Sequence, residues 1–477
     1  MSQGDAEGGS WFARFFEFDR YHTDMRTEVL AGLTTFLTMS YIIVVNPAIL
    51  SEALLWDHEA GELMDEMTIN GTVYTDGEIF QMLAVATILA SLVGILIMAF
   101  WAKRPFGLAP GMGLNAFFAF TVVIAMGIPW QTALAAVFVE GIIFILITAV
   151  GARRWVIEMF PQPVKLSVGA GIGAFLLLIG LQQMEIVVVD GGLDLGDIAQ
   201  NPWALLGITG LIFTLMIYAR GVRGSIVIGI VATALLGWGL TLAGVFERGE
   251  VTPAELASPQ YDITPLAGAF IDGFAEIEPV TFALVVFTFF FVDFFDTAGV
   301  LVGLGNQAGL TDEDGDLPDM EKPLMADAVA TTFGSMVGTS TTTTFIESAT
   351  GIDEGGRTGM TALTIGAFFL IALIAVPLVV AIPGYAIYLA LIIVGLIMLQ
   401  GLADIDWTHP AWVISAGLTI FIMPLTESIA YGIAAGLITY PLVKFAMGES
   451  DDLHPAHWAL AAAFVIYFYV QTSGLVG

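Results

Sequence analysis

The chain has 477 residues, of which 57% are hydrophobic and only 12% are charged, whereas soluble proteins carry about 25% charged residues. It has no cysteine, which excludes disulfides, thiolate catalysis and cysteine-based metal sites. Its net charge of −31 argues against a nucleic acid partner, because binding a phosphate backbone requires a basic patch. We therefore expect a membrane protein that is not an enzyme and that needs no cofactor or metal.

The N-terminal stretch, MSQGDAEGGS, is acidic and shows no cleavable signal peptide. The following segment, WFARFFEFDRYHTDMRTEV, mixes aromatic with charged residues, which favours a helix lying on the membrane surface. A disordered tail is the alternative interpretation. We assign residues 1–28 to this interfacial segment.

Apolar runs recur along the rest of the chain, and each is long enough to cross a hydrocarbon core of about 30 Å. They predict an all-α polytopic membrane protein with about 14 spans. A further run at about 456–474 is either the true last span or an extra one. The predicted spans are 29–49, 80–101, 111–127, 130–150, 165–182, 202–219, 224–245, 280–303, 324–337, 345–358, 359–380, 383–402, 411–424 and 426–447.

The basic residues test the orientation of these spans, because cytoplasmic loops carry an excess of Lys and Arg. With the N-terminus in the cytoplasm, 13 of the 14 Lys and Arg residues fall on the cytoplasmic side. Only Arg248 falls outside, and the alternation is supported as far as Lys444. We expect a multi-pass protein of the cell membrane with a cytoplasmic N-terminus.

Two predicted spans, seven apart in the chain, are interrupted. The third contains GLAPGMGLNAFFAF at 107–120, and the tenth begins within VGTSTTTTFIESATG at 337–351. Because seven is odd, the second half would be inverted relative to the first, and paired interruptions of this kind mark transporter binding sites near the bilayer middle. We predict a short strand in each interrupted segment and expect Thr344 to begin a half-helix.

Carboxyl groups inside membrane spans are rare and costly, so each is a functional candidate. Asp293 and Asp296, in FTFFFVDFFDTAG, are three residues apart and share one face of the predicted eighth span. Among so many phenylalanines both would not ionise together, which makes one of them a candidate proton carrier. The alternative is a pair that faces a polar groove and contributes only to helix packing.

Glu347 follows Thr344 at the spacing of a capping box, which is a complete structural explanation for both residues. A carboxylate facing a cavity could also accept hydrogen bonds from the ring N–H groups of a ligand. Asn115 follows two glycines that allow close backbone approach. Its amide could cap a half-helix or offer a donor and an acceptor to a ligand.

Two further carboxyl groups lie in predicted spans. Asp327, near the middle of the ninth span, fits a coupling role and a plain helix–helix hydrogen bond equally well. Glu140, in the fourth span, favours packing over direct function.

Four motifs occur in order along the chain: NPAIL, GMGLNAFFAF, FFFVDFFDTAG, and GTSTTTTFIESATGI followed by GGRTG. Together they closely resemble the AzgA-like adenine, guanine and hypoxanthine permeases of the nucleobase–cation symporters, the xanthine/uracil permease superfamily. The resemblance covers roughly residues 15–447. Val300 departs from it, because the eighth-span motif usually has Thr at this position. The acidic surface, which a high ionic strength would screen, suggests a halophilic archaeal source.

The resemblance implies the UraA-type fold, with 14 spans in two inverted repeats of seven. A core domain would combine spans 1–4 and 8–11, and a gate domain spans 5–7 and 12–14. The corresponding ranges are 29–150 and 280–380 for the core, and 165–245 and 383–474 for the gate.

The resemblance also implies proton symport of purine bases, with the purine held by Asp293 and Glu347. Asn115, Gly113 and Asp296 match further positions associated with function in the family. Phe117, or a phenylalanine of the eighth span, could stack on the purine ring. The expected substrate-binding residues are Asp293, Glu347, Asn115, Gly113, Thr344 and Phe117, and the expected proton-coupling residues are Asp296, Asp293 and Asp327.

Alternatives remain open at this point. An anion or sulfate carrier could share the fold, although no visible basic group balances the paired acids. An ion channel would suit broken helices, but no charged ring or filter motif is present. An intramembrane enzyme would need a metal motif or an activated nucleophile, and neither is evident. Sodium could replace the proton, and the family fold leads us to consider a homodimer.

Overall fold

The computed structural model describes residues 11–189, 191–275, 277–312 and 317–472. The first ten residues of the predicted interfacial segment, and the last two of the run at 456–474, lie outside the described residues. Ten helical stretches in the described part are long and apolar enough to cross a membrane. The protein is therefore a mostly helical, multi-pass membrane protein.

The predicted interfacial segment forms two short helices that contact the bundle. The Lys103 ammonium lies 4.6 Å from the centroid of the Phe15 ring and donates to the Phe15 carbonyl. The first predicted span is two helices, because α-helix is interrupted at Ser40 and Tyr41. The elements of this part are α1 (Trp11–Phe15), α2 (Phe18–Tyr21), α3 (Met25–Met39), α4 (Ile42–Leu55), β1 (Trp56–Asp57), β2 (Glu62–Leu63), β3 (Glu66–Ile69), β4 (Thr72–Thr75), α5 (Asp76–Ile97), a π-helical turn (Met98–Ala102), β5 (Leu108–Pro110), α6 (Met112–Ala116), a π-helix (Phe117–Ala125) and α7 (Trp130–Ala149).

Polar side chains cap the helices that follow. The Asn201 side chain accepts from the backbone amides of Trp203 and Ala204, and the Glu278 carboxylate accepts from the Thr281 amide. Such bonds satisfy amides that have no partner inside the helix. The elements are α8 (Arg153–Glu158), α9 (Gln162–Gln183), β6 (Val187–Val189), β7 (Leu193–Leu195), a 3-10 turn (Ile198–Gln200), α10 (Pro202–Ala219), α11 (Ser225–Leu242), a 3-10 helix (Ala269–Phe274) and α12 (Pro279–Gln307).

A buried carboxylate joins the two halves of the chain. Glu28 of α3 is fully buried and accepts hydrogen bonds from the amides of Thr358 and Thr361. It thereby caps a helix of the second half from the first. The remaining elements are α13 (Glu321–Val337), β8 (Thr342–Thr344), α14 (Ser348–Asp353), α15 (Gly359–Ala372), a 3-10 turn (Leu373–Ala375), α16 (Val376–Val379), α17 (Gly384–Ile387), α18 (Leu389–Met398), a 3-10 helix (Leu399–Asp404), α19 (Pro410–Thr426), α20 (Ile429–Ala446), a 3-10 turn (Ser450–Asp452) and α21 (Pro455–Thr472).

The two interrupted segments meet, as the predicted short strands indicated. Strands β5 and β8 pair antiparallel, with Ala109 opposite Thr343. The pairing continues on both sides, because the Gly111 amide donates to the Thr341 carbonyl and the Phe345 amide to the Gly107 carbonyl, each at 2.9 Å. Each strand therefore supplies the backbone hydrogen bonds that hydrocarbon cannot offer.

The expectation that Thr344 begins a half-helix is wrong. Thr344 is the last residue of β8, and α14 begins four residues later at Ser348. The capping box with Glu347 does not form, because the Thr344 hydroxyl donates to Asp327 instead. A carboxyl group distant in sequence thus takes the hydroxyl that the local spacing assigned to helix capping.

The helices pack in two sets. Helix α13 packs on α5 and α7, α12 on α7, α4 on α5, and α15 on α3 and α5. These helices, with β5, β8, α6 and α14, are called the strand group below. Helix α9 packs on α18, α19 and α20, and α10 on α11 and α17. These form the second group. Helix α21 packs on α20, and the number of segments that cross the membrane stays a prediction.

Candidate functional site

The polar strand β8 is held by hydroxyl and amide groups of neighbouring helices. The Thr331 hydroxyl donates to the Thr342 carbonyl at 3.0 Å and accepts from the Thr342 amide at 3.1 Å. Asn46, in the NPAIL motif, donates to the hydroxyls of Thr87 and Thr339 at 2.7 and 2.8 Å. These bonds provide partners for the Thr342 backbone and the Thr339 hydroxyl inside a membrane protein, whereas the hydroxyls of Thr341 and Thr342 are buried without a partner among the described residues.

A cavity of about 470 Å³ lies between α9 of the second group and α12 of the strand group. Its volume lies within the range of ligand sites, about 300–1,000 Å³. The polar side chains on its wall are Lys165, Asp296 and Gln307. The other residues of the wall are Leu166, Val168, Gly169, Ile172, Val292, Phe295, Gly299, Val300, Gly303, Leu304, Ile346 and Ala349.

The two aspartates of α12 have different surroundings. Asp296 lines the cavity beside Phe295. Asp293 is fully buried and lies outside the cavity wall, where its carboxyl group interacts with those of Glu140 on α7 and Asp327 on α13. The structure thus separates two carboxyl groups that the sequence placed on one helix face: one meets the cavity and the other meets the interior of the strand group.

Glu347 lies beside the cavity, between the wall residues Ile346 and Ala349, and is half-buried. Its Oε1 accepts a 2.6 Å hydrogen bond from the Tyr41 hydroxyl, at the break between α3 and α4. Its carboxyl group is also an electrostatic neighbour of Asp296. The site therefore brings together one carboxyl group from α12 and one from the second interrupted segment.

The first interrupted segment approaches the cavity wall through its backbone. A Cβ atom added to Gly113 would lie 2.5 Å from Cγ2 of Ile172, which is a wall residue. Asn115 is fully buried, and its side-chain oxygen accepts a hydrogen bond from the Ser340 hydroxyl. Its side-chain nitrogen has no hydrogen-bond partner among the described residues. Asn115 thus joins the two interrupted segments, and its N–H donors are not used by the described part of the chain.

Two expected ligand contacts point away from the cavity. Phe117 is fully buried and packs edge-on against Phe289, with 4.8 Å between the ring centroids. The Thr344 hydroxyl donates to Asp327 at 3.3 Å. The aromatic ring on the cavity wall is Phe295, a phenylalanine of the predicted eighth span.

Sequence reasoning missed three residues of the site: Lys165, Gln307 and Tyr41. Lys165 donates to the Ile157 carbonyl at 3.0 Å and lies 5.9 Å from the centroid of the Phe295 ring. A single basic residue at the start of an apolar span was an available signal for Lys165. For Tyr41 no local signal exists, because its role depends on a contact with residue 347.

A second cavity, of about 830 Å³, lies at the opposite end of α9 from Lys165. Its wall includes six acidic residues. There the Tyr388 hydroxyl of the second group donates to Glu52 of the strand group at 2.7 Å. The two groups are thus in direct contact at this end. No cluster of three or more His, Asp or Glu in the described part of the chain is placed to hold a metal ion.

Residues 26–435 match the model of the xanthine/uracil permease family, which is described as a permease family. A Methanocaldococcus jannaschii protein described as a permease is 41% identical over 463 residues, covering 97% of this chain and 98% of that one. The guanine/hypoxanthine permease PbuO of Bacillus subtilis is 38% identical over 462 residues, 96% and 99% of the two chains. The adenine permease AdeP of Escherichia coli is 36% identical over 461 residues, 96% of each.

Solved structures share the architecture. The transmembrane domain of a cyanobacterial bicarbonate transporter, BicA, superposes with a TM-score of 0.56 at 14% identity, over 87% of this chain and 97% of that one. The structure of SLC26A9 superposes with a TM-score of 0.58 at 13% identity, over 92% of this chain and 67% of that one. At such identities the likeness concerns the fold alone, and it confirms the UraA-type transporter fold expected from the sequence.

Proposed function

The chain belongs to the xanthine/uracil permease family, and from this premise we propose that it imports the purine nucleobases hypoxanthine, guanine and adenine by proton symport. Its relatives are permeases, so the protein is a transporter and not an enzyme. Relatives named for guanine, hypoxanthine and adenine support purines as the substrate class.

The observation that carries the proposal is the wall of the smaller cavity. Asp296 and Glu347 approach it from two different segments, and Phe295 lies between apolar residues of the same wall. A purine base is a flat ring system with N–H donors on its edge. The carboxylates would accept hydrogen bonds from these donors, and the phenylalanine would stack on the ring face.

The remaining expected site residues stay part of the proposal. Asp293 lies one helical turn from Asp296, and we expect it to act on the base through that neighbour or after a rearrangement. Gly113 would set the distance between the first interrupted segment and the cavity wall. Asn115 and the backbones of the two strands would bind the opposite edge of the purine.

We further propose that this conformation faces the cytoplasm. Lys165 and Gln307 mark the ends of α9 and α12 that the positive-inside rule assigns to the cytoplasm, and the smaller cavity extends towards them. At the other end, the Tyr388–Glu52 hydrogen bond holds the two groups together. Movement of the strand group, as the core domain, against the second group would open each end in turn.

Uptake of labelled hypoxanthine into proteoliposomes at high salt, with and without an inward proton gradient, tests the proposal. We expect gradient-dependent uptake that unlabelled adenine or guanine blocks. Uptake that follows sodium instead would keep the substrate and overturn proton coupling. If folded protein takes up no purine, the proposal is wrong.

Variants sharpen the assignment of the site. We expect Asp293→Asn and Asp296→Asn to abolish uptake, because each replaces an acidic group by an amide of nearly the same shape. Glu321→Gln, at the exposed start of α13, is the matched control and should transport normally. Full uptake by the Asp293 variant would remove that residue from the site.

A second candidate function is favoured by one observation: Lys165 lies on the cavity wall and could face an anion. An anion or sulfate carrier would then use the same fold. Competition assays separate the two functions, since sulfate would block uptake in an anion carrier and hypoxanthine would block it in a purine carrier.

A further inference from the structure

Glu140 has surroundings that the sequence did not indicate. It lies in the middle of α7, and its side chain is fully buried, as are those of Asp293 and Asp327. Helices α7 and α13 approach each other closely at this level. A Cβ atom added to the next residue, Gly141, would lie 2.5 Å from Oγ1 of Thr332 on α13. Because α12 also packs on α7, the carboxyl groups of Glu140, Asp293 and Asp327 lie within interaction range of one another.

The hydrogen bonding of these three groups is uneven. The Asp327 oxygens accept from the hydroxyls of Thr297 and Thr344. No amide or hydroxyl in the described residues donates to either carboxyl oxygen of Glu140 or Asp293. Their carboxyl groups instead interact with each other, and Asp293 also interacts with Asp327. Two carboxyl groups can form a hydrogen bond only when one of them carries a proton.

Within the described part of the chain, no Lys or Arg interacts with the carboxyl groups of this cluster. Glu140 is the single charged residue of α7, and α12 contributes only Asp293 and Asp296. Lys322 lies at the start of α13, where it pairs with Asp319. A buried carboxylate without a cation or donors is strongly disfavoured, so such a cluster holds protons. The other elements packed on these three helices carry the charged residues Asp76 and Glu78 of α5, Asp272 of the 3-10 helix, Asp353 of α14, Lys165 of α9 and Lys444 of α20. Lys165 lies on the cavity wall with Asp296, and Lys444 pairs with Glu449.

The cluster is linked to the cavity by two routes. Asp293 and Asp296 are separated by one helical turn, and the charge of Asp296 acts on both Asp293 and Asp327. The hydroxyl of Thr344 ties Asp327 to β8, two residues before the wall residue Ile346. A change of charge in the cavity therefore changes the electrostatic surroundings of the carboxyl cluster, and a change of charge in the cluster changes those of the cavity.

We propose that Glu140 shares the symported proton with Asp293 and Asp327, as a coupling residue next to the purine site. This inference rests on the proposed purine symport and adds to it a residue on α7. Two of the three carboxyl groups stay protonated throughout, and the proton that arrives through Asp296 neutralises the third. The same proton leaves through Asp296 to the other side. The strand group can move against the second group only when the cluster is neutral, because an uncompensated charge in the hydrocarbon region is costly.

The test separates coupling from transport in proteoliposomes. Exchange of labelled for unlabelled hypoxanthine at equal pH needs no net proton movement, whereas accumulation down a proton gradient does. For Glu140→Gln we expect exchange within about threefold of wild type, and a loss of about tenfold or more in accumulation and in proton entry measured with an internal pH dye. Glu321→Gln is the matched control and should keep both activities.

Glu140→Asp keeps a titratable group but shortens it. We expect this variant to accumulate hypoxanthine with a shifted pH profile, whereas a purely structural role would scale the wild-type profile without moving it. Normal accumulation and proton entry in Glu140→Gln would overturn the inference, as would an unshifted profile in Glu140→Asp if Glu140→Gln fails to fold. If wild-type protein neither exchanges nor accumulates purines, the proposed purine transport is wrong, and the inference that rests on it is wrong as well.

Discussion

The two interrupted segments occupy matching positions in the two halves of the chain and pair through β5 and β8, yet they differ in chemistry. The first supplies Gly113 and one amide, Asn115, and continues into helical structure as far as residue 125. The second supplies six consecutive hydroxyl residues, 339–344, and Glu347, and its helix α14 has only six residues. One segment provides close approach and the other provides polar groups.

This difference shows how an inverted repeat can build an asymmetric site. The glycine of the first segment packs on Ile172, across the boundary between the two groups. The carboxyl group of the second lies beside the cavity, between the wall residues Ile346 and Ala349, and accepts a hydrogen bond from Tyr41. Changes in the second segment should therefore affect substrate recognition most, and changes in the first should act through packing.

The largest effect is expected for Glu347→Gln, which replaces the acidic group beside the cavity by an amide but keeps the shape of the side chain. Uptake of hypoxanthine should fall about 100-fold or more, since a lost charged hydrogen bond is worth about 3 kcal/mol. Tyr41→Phe removes only the group that orients Glu347, so it should cost about tenfold. Equal losses for the two variants would contradict a direct contact between Glu347 and the purine.

The next effect concerns the first segment. Gly113→Ala places a methyl group against Cγ2 of Ile172, so we expect uptake to fall about tenfold through displaced packing. Ile172→Ala in the same chain removes that methyl carbon and should restore most of the uptake. Gly417→Ala, at a helix position with open space around the new Cβ, is the control. Absence of rescue would mean that Gly113 contacts the substrate itself.

The architecture could be predicted from the sequence because hydrophobic runs and interruptions are local signals. The multi-pass helical fold and the paired short strands followed from apolar length and from glycine, proline and hydroxyl residues at membrane depth, whereas the first predicted span, 29–49, is two helices. The role of Thr344 could not be predicted, because a local backbone amide and Asp327 on another helix compete as hydrogen-bond partners of its hydroxyl, and Asp327 is the partner in the structure. Sequence spacing describes only the first of these partners.

The sequence singles out the acidic residues around the cavity, but it does not show how they are grouped. Asp293, Asp296 and Glu347 stand out as acids in apolar surroundings. The packing of α7, α12 and α13 decides which partner each aspartate has: Asp296 lines the cavity, and Asp293 interacts with Glu140. No spacing along the chain relates residues 140, 293 and 327, so the carboxyl cluster emerges only in three dimensions.

A smaller effect, on stability, is expected at the support of β8. Thr331→Val removes the hydroxyl that bonds both the amide and the carbonyl of Thr342. The free energy of unfolding should fall by about 1–3 kcal/mol, because buried backbone groups lose their partner. Thr288→Val removes a hydroxyl that bonds only within its own helix and is the control. Thermal unfolding in detergent measures both, and equal shifts would show that β8 does not depend on Thr331.

The smallest effect is expected where the two segments touch through side chains. Ser340→Ala removes the hydroxyl that donates to Asn115, leaving the amide free to rotate in place. If Asn115 offers its free nitrogen to the purine, that rotation should weaken hypoxanthine binding about threefold. Ser340→Ala should then add nothing in an Asn115→Ala background, since its effect passes through the amide. If the losses in hypoxanthine binding are instead independent and additive, Ser340 acts by supporting strand β8 and not by orienting the Asn115 amide. The second interrupted segment would then contribute to binding without the first, even where the two segments touch.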